Sequence, residues 1–253
     1  MYLWRRLAGR EWSTKNEENL RRIAGDGLAI IERPNLKRLQ LEVGSNRRAE
    51  LENVAKQFGG KIKKLPRDWL RRSLRHKTKP FKVGTRNLTI PAGAAFGTGE
   101  HATTAMSLRL LEKLTRDWKP GWSTVDLGTG SGILALAAKP LGANRVIGID
   151  NDPIAVSTAK QNARLNRVRD IQFRVADVCH WKFPARIDIA TANLFSELLI
   201  RIMPKLRAAR WLVLSGVLRS QERDLRRALR RHKIDIIEVR RRGKWVAILA
   251  RSR

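Results

Sequence analysis

The sequence predicts an α/β fold: an open, mainly parallel sheet with helices on both faces, preceded by a small α+β module. Three observations carry this. From residue 123 onward, apolar strand-like runs alternate with helix-length segments, the pattern of strands joined by helical crossovers. The first of those runs ends in "VDLGTGSG", with glycines at 128, 130 and 132 behind an aspartate. Residues 1–65 divide into six short elements in the order βαββαβ.

The elements are justified in turn. "YLWRRLA" reads as a strand. "STKNEENLRRIAG" opens on a capping residue and closes at Gly25, which suits a helix. "LAIIE" and "RLQLEV" read as strands on either side of the turn-like "RPNLK". "RRAELENVAKQFGG" is apolar at Leu51, Val54, Ala55 and Phe58, a helical spacing stopped by a glycine pair. "KIKKL" supplies a last strand. This order is that of a ferredoxin-like domain, assigned to residues 1–65. Residues 66–90 read as a linker with some helix, and residues 91–253 as a second domain.

In the second domain "STVDLG" is a strand, "GILALAAKPLG" a helix, "RVIGID" a strand and "DPIAVSTAKQNARLN" a helix. Asp152 at N-cap with Pro153 behind it explains the start of that helix without a functional role. "IQFRVAD" and "RIDIATANL" are strands, "SELLIRIMPKLR" a helix and "WLVLSGVL" a strand. "SQERDLRRALRRH" is a helix whose arginines form a solvated face. "KIDIIEVRRR" and "KWVAILAR" close the chain as a strand pair turning near Gly243.

Composition narrows the function. Hydrophobic residues make up 42% of the 253, enough for a buried core. No apolar run reaches the length of a membrane span, and no secretory leader is seen. One cysteine, Cys179, excludes an internal disulfide and a cysteine-based metal site, and no metal is expected. A cytoplasmic setting follows. The net charge is +30, and the excess lies at the two ends. Residues 81–200 carry 15 basic and 10 acidic side chains, whereas residues 201–253 carry 17 and 4. Such ends leave room for nonspecific RNA contact.

Glycine inside regular structure costs roughly 0.5–1 kcal/mol relative to alanine, so three in five positions need a reason. At the carboxyl end of a strand they permit a tight turn and let a ligand lie against the main chain. Asp150 stands 18 residues after Gly132, at the end of the next strand, where a carboxylate accepts hydrogen bonds from a ribose diol. A nucleoside-containing ligand is therefore expected. A dinucleotide fingerprint is excluded by spacing: its third glycine falls at position 133, which is Ile133.

The G-x-G-x-G spacing with Asp126 upstream resembles the seven-stranded, Rossmann-like S-adenosylmethionine-dependent methyltransferases. Two further stretches, "PAGAAFGTGEHATT" (91–104) and "ATANLFSELL" (190–199), resemble the PrmA family, as does "LSGVL" at 214–218. That family methylates the large-subunit ribosomal protein numbered eleven, and it carries a ferredoxin-like substrate-recognition domain ahead of the catalytic one. The resemblance implies S-adenosylmethionine as cofactor, a ribosomal protein as partner, lysine or N-terminal amines as acceptors, and a monomer. It implies cofactor contacts at Phe96, Thr104, Asp126, Gly128, Gly130, Gly132, Asp150, Asp177 and Asn193. Phe96, Gly97, Thr98, Gly99 and His101 would shape a lid, and Asn193 would orient the incoming amine.

The resemblance covers residues 80–250 strongly and residues 1–70 only in length and element order, which leaves the protein substrate open. Alternatives are a lysine of another protein, such as an electron-transfer flavoprotein subunit, or an RNA-binding or RNA-methylating protein. Asn193 is followed by Leu194 and Phe195, not by the Pro-Pro-Tyr of amino-methylating nucleic-acid enzymes, which counts against base methylation.

Overall fold

A computed structural model of the chain describes residues 2–24, 28–31, 38–45, 47–65, 80–91, 101–184 and 186–253. Two compact units divide it, Met1–Arg72 and Ser73–Arg253.

The first unit contains β1 (Tyr2–Ala8), α1 (Arg10–Ala24), β2 (Leu28–Ile31), β3 (Leu39–Ser45), α2 (Arg48–Phe58) and β4 (Lys61–Lys64). Its sheet runs β2-β3-β1-β4, and every neighbouring pair is antiparallel. This is the strand order of the ferredoxin-like fold that the element sequence suggested. Trp4, Leu20, Leu41, Val43, Leu51, Val54 and Phe58 close its core. The Trp4 indole N–H donates to the Gly59 carbonyl at 2.7 Å, so the buried ring keeps its polar handle satisfied. Helix α1 begins at Arg10, three residues ahead of the start expected at Ser13. Ser13 packs inside at 2% exposure, and its N–H already belongs to the helix through the Gly9 carbonyl. The expected turn "RPNLK" (33–37) and the Gly25 stop lie outside the described residues.

The second unit contains β5 (Phe81–Val83), β6 (Arg86–Leu88), α3 (Ala102–Thr115), β7 (Ser123–Leu127), α4 (Ile133–Ala138), β8 (Arg145–Asp150), α5 (Pro153–Leu165), β9 (Ile171–Val175) and β10 (Ile187–Asn193). It continues with α6 (Ser196–Leu206), β11 (Ala209–Leu218), α7 (Glu222–Arg231), β12 (Ile234–Arg242) and β13 (Trp245–Ser252). Its seven-stranded sheet runs β12-β13-β11-β10-β7-β8-β9. From β9 to β11 the neighbours are parallel, and β13 lies antiparallel to both β11 and β12.

Strand alternation sorts the core onto two faces. Val146, Ile189 and Val213 point to the side covered by Met106, Leu110, Leu134, Val156 and Ala159 from α3, α4 and α5. Ile147, Ala190 and Leu212 point to the side covered by Leu199, Ile202, Met203, Leu225 and Leu229 from α6 and α7. With both faces covered, all five residues of β7 are buried, the signature of a central parallel strand. The chain leaves β7 toward β8 and β9 on one side and returns to β10 on the other. That reversal opens a crevice beyond the carboxyl ends of β7 and β10, where ligands of such sheets bind.

Two features depart from the expectation. Helix α3 was not foreseen, although Met106, Leu110 and Leu111 hold a helical spacing and are buried. The stretch 66–90, read as a linker, ends in the β5–β6 hairpin, whose Val83 and Leu88 join Ile90 in the second unit's core. Asn166, at the end of α5, clasps it: its Nδ2 donates to the Thr89 carbonyl at 2.8 Å and its Oδ1 accepts the Thr89 N–H at 2.6 Å. Three-residue strands carry too little periodicity to be read from sequence.

Leu88→Ala tests whether this hairpin is part of the catalytic core. Removing a side chain that is 0% exposed should cost about 2–5 kcal/mol, seen by calorimetry as a lowered transition of the second unit. A silent substitution would return residues 80–90 to the role of a connector.

Candidate functional site

The crevice is built around one buried carboxylate. Asp126, the next-to-last residue of β7 before the glycine loop, is 2% exposed. Its Oδ2 accepts the Thr129 hydroxyl at 2.7 Å and its Oδ1 the Thr191 hydroxyl at 2.6 Å. Thr191 is its partner in register on the neighbouring strand β10. Burial pushes the Asp126 carboxyl up to about 6, against the hydroxyl and Ala135 N–H bonds that favour the charged form, with the charge of Asp150 adding to the rise. Expected among the cofactor contacts, Asp126 thus stands beneath the loop with its oxygens engaged by protein groups. It shapes the site from below.

The loop above it takes left-handed backbone at Gly128, Gly130 and Gly132, with φ of +67°, +54° and +81°. Side chains rarely adopt that conformation, which answers part of the question the motif raises. Packing answers more. A Cβ on Gly128 would collide with the Leu194 side chain, and one on Gly132 would stand 2.9 Å from the Ala159 Cβ. The loop is pinned from three directions. Thr129 N–H donates to the Ile149 carbonyl at 2.8 Å, Asn162 Nδ2 to the Ser131 carbonyl at 2.8 Å, and Gly130 N–H to Asp150 Oδ2 at 2.9 Å.

Asp150 ends β8 as expected, and its Oδ1 also accepts the Asp152 N–H at 3.1 Å. An ionised carboxylate offers about four acceptor positions, so two remain for a ligand's hydroxyls. Asp177 stands beyond the carboxyl end of β9, half exposed. The Cys179 N–H and then the His180 ring hold its carboxyl below the ordinary range, at 2.8 and 2.6 Å. Gly130, Asp150 and Asp177 therefore line three successive strand ends, the row a nucleoside would follow.

Asn193 closes β10 on the same crevice. Its Nδ2 donates to the Thr103 hydroxyl at 3.2 Å and to the Thr104 hydroxyl at 3.4 Å. The Thr103 hydroxyl lies 2.7 Å from His101 Nδ1. Burial, and then the charge of Lys244, lower the His101 pKa, and the ring stacks edge-on to Trp245 at 5.1 Å. A hydroxyl oxygen accepts from one side while its proton or its second lone pair meets the ring nitrogen, so Thr103 links His101 Nδ1 to the amide whichever ring nitrogen carries the proton. Asn193 Nδ2 donates to both threonine hydroxyls, and His101 holds the first of them. The carboxamide is thereby turned with its oxygen away from the threonines, and Asn193 Oδ1 is buried without a partner among the described residues. A buried acceptor left unmade costs about 1–3 kcal/mol, and an acceptor placed at a strand end beside the glycine loop is one a ligand can satisfy.

Thr104, expected to touch the cofactor, is 1% exposed and serves as an acceptor for Asn193. Phe96, Gly97, Thr98 and Gly99 lie outside the described residues. Thr103, Thr191 and Asn162 were not singled out from the sequence. The doublet Thr103–Thr104 and the polar Thr191 inside an apolar strand were the available signals.

Comparison with known proteins gives the family. The family model described as ribosomal protein L11 methyltransferase (PrmA) matches residues 66–253. The chain belongs to the PrmA family. A ribosomal protein L11 methyltransferase of Pelobacter propionicus is 38% identical over 197 residues, covering 68% of this chain and 63% of the relative. One of Caldicellulosiruptor saccharolyticus is 34% identical over 169 residues, covering 65% and 54%. The chain thus spans a little over half the length of the curated PrmA relatives it matches. Among solved structures, the ribosomal protein L11 methylase of Lactobacillus delbrueckii subsp. bulgaricus superposes with a TM-score of 0.57 at 29% identity, over 63% of this chain and 82% of that one. The matched part of the chain is the one that carries the glycine loop, Asp150 and Asn193. This PrmA member keeps the seven-stranded order, with the acceptor at the end of β10.

The Asp126 brace makes a pH prediction. Its folded-state pKa of about 6 lies above the ordinary 3.8, so the folded state holds the proton more tightly. The group's effect on stability is most favourable below 3.8 and is lost as pH rises through 6, by on the order of 3 kcal/mol. Asp126→Asn keeps an acceptor and removes the titration. Denaturant melts should show wild type losing stability relative to this variant between about pH 4 and about pH 6.5. A difference independent of pH would contradict the burial argument.

Proposed function

We propose that the chain is an S-adenosylmethionine-dependent protein methyltransferase acting on amines of the ribosomal protein L11, with lysine side chains as the main acceptors. The carrying observation is the buried Asn193 Oδ1, without a partner among the described residues, at the mouth of a glycine-loop crevice. Family membership over residues 66–253 and the names of the relatives support the substrate. The cytoplasm is the setting this substrate implies.

The residues present fit the cofactor. Asp150 retains acceptor capacity for a ribose diol, Asp177 flanks the position of the base, and the loop from Gly128 to Gly132 offers main chain without side chains. S-adenosylmethionine brings an activated methyl group on a sulfonium sulfur, so the hard chemistry belongs to it. The protein's work is alignment, which contributes roughly 7–11 kcal/mol in well-oriented reactions.

A lysine amine in water is protonated, with a pKa near 10.4. Entry into a desolvated crevice favours the neutral form, and water takes the proton before attack. Asn193 Oδ1, together with a neighbouring backbone carbonyl, then accepts amine N–H bonds and aims the lone pair. No general base is needed once water has taken the proton, and His101 meets Thr103 through Nδ1. Its place is behind Asn193, fixing the carboxamide's orientation.

The N-terminal unit, Met1–Arg72, is proposed as the part that recognises the protein substrate. It lies almost entirely outside the family match, which begins at residue 66.

The assay is transfer of labelled methyl from S-adenosylmethionine to purified ribosomal protein L11. Asn193→Ala should lower turnover by about a hundredfold while calorimetric cofactor affinity stays within about threefold. Asp150→Ala should weaken cofactor binding by about tenfold or more. Unchanged turnover in Asn193→Ala would remove that residue from the reaction. No label in L11 with wild type, but label in another protein of the lysate, would move the substrate and leave the chemistry.

A further inference from the structure

The second unit carries a polar groove whose lining includes none of the residues placed in the methyl-transfer site. It has a volume of about 460 Å³ and is lined by Arg219, Glu222, Arg223, Arg226, Arg227 and Arg230. Positions 223, 226, 227 and 230 follow a spacing of three, four and seven, which puts them on one face of α7. They span about 10 Å of helix axis at 1.5 Å per residue. Leu225 and Leu229 face the opposite way and are fully buried, so the core fixes which side of the helix is presented. Arg219 continues the row at the carboxyl end of β11.

The lone acid in the lining is already committed. Glu222 accepts Arg226 Nε at 2.8 Å and both Arg241 Nε and Nη2, at 2.8 and 2.5 Å. Its carboxyl is held below the ordinary range by Arg241 first. Arg227 stands 3.7 Å from the exposed Asp224, a pair of little worth in water. Arg219, Arg223 and Arg230 are exposed, and no ion pair engages them among the described residues. The groove is therefore a concentrated, uncompensated positive site in a segment, 201–253, that carries 17 basic and 4 acidic residues.

We propose that this groove binds the phosphate backbone of RNA without regard to sequence. The lining consists of arginine and one glutamate only. Guanidinium groups match phosphate oxygens in a two-pronged fork, as lysine does not. An interface with an acidic protein would need apolar or aromatic anchors at its centre, and the lining has none. The absence of an aromatic from the lining also leaves no platform for stacking bases, so contact stays with the backbone, which positions without specifying. The choice of RNA among nucleic acids rests on the proposed function, since a chain that modifies a ribosomal protein works where RNA is abundant. The groove's preference for phosphate does not depend on that reading. Because Arg219 begins at the strand-end edge that also bears Asn193, RNA in the groove would lie along the margin of the catalytic face.

The test is fluorescence anisotropy of a labelled RNA hairpin with the full chain across a salt series. The triple variant Arg223→Ala, Arg227→Ala, Arg230→Ala is compared with Arg145→Ala, Arg164→Ala, Arg169→Ala, which removes the same charge from exposed positions at the other end of the sheet. The groove triple should lose about tenfold or more in affinity, and its plot of log affinity against log salt should be shallower by about two to three. The control triple should lose less than about threefold. Equal losses in both triples would show a diffuse charge effect and overturn the site. Binding of poly-glutamate as tight as RNA, and equally sensitive to the groove triple, would overturn RNA in favour of an acidic protein. Duplex DNA bound as tightly as RNA would overturn the choice of RNA. Circular dichroism checks folding; if the alanine triple fails to fold, Arg→Lys at the same three positions keeps the charge and should still weaken binding about threefold, and no loss there would refute guanidinium recognition. Binding is read without methyl transfer, so this result and the fate of the methyltransferase reading are separable.

Discussion

The arrangement of the crevice depends on one buried carboxylate. Asp126 holds Thr129 in the glycine loop with one oxygen and Thr191 on the adjoining strand with the other. Two residues beyond Thr191 the same strand ends in Asn193. A single side chain therefore fixes the distance between the main chain expected to cradle a cofactor and the amide expected to receive an amine. The cost is a carboxyl pushed up toward 6 by its own burial. A preorganised site accepts such a cost because alignment is its principal contribution.

Around that brace the polarity of the site is set by directional hydrogen bonding. His101, kept neutral by burial and by Lys244, orders Thr103, and Thr103 orders Asn193. The last hairpin takes part through Trp245 against His101 and through Val246, whose carbonyl receives the Ser215 hydroxyl at 3.2 Å. The strand pair that closes the sheet thus supports the acceptor from behind. The charge excess lies elsewhere, on the first unit and on the chain's last fifty residues, leaving the crevice in the least basic part of the sequence. In the second unit the arginine row lies on α7, and the crevice lies at the strand ends of β7 and β10.

Much of this was legible in the sequence, for identifiable reasons. Strands covered on both faces are near-continuous apolar runs, so β7, β8, β10 and β11 stood out. Glycines forced into left-handed backbone mark the loop, and the Asp152–Pro153 start of α5 is a local signal that structure repeats: the Asp152 side chain accepts the Ile154 N–H at 2.8 Å. What escaped depends on contacts far apart in the chain. Thr103 gains meaning only beside Asn193, 90 residues away, and Thr191 only beside Asp126, 65 residues away. The hairpin at 81–88 is too short to show a period, and α3 follows a glycine-rich stretch that hides its boundary. The hydroxyls that Asp126 holds were not legible, because its place in the motif does not reveal which way its oxygens turn.

The measurement closest to the central claim is a crystal structure of the full chain with S-adenosylhomocysteine. The account predicts the ribose hydroxyls on Asp150, the amino-acid end of the ligand along the loop from Gly128 to Gly132, and Asp126 still bound to Thr129 and Thr191. A ligand seated away from that loop, or an Asp126 carboxylate turned out to meet it, would contradict the account.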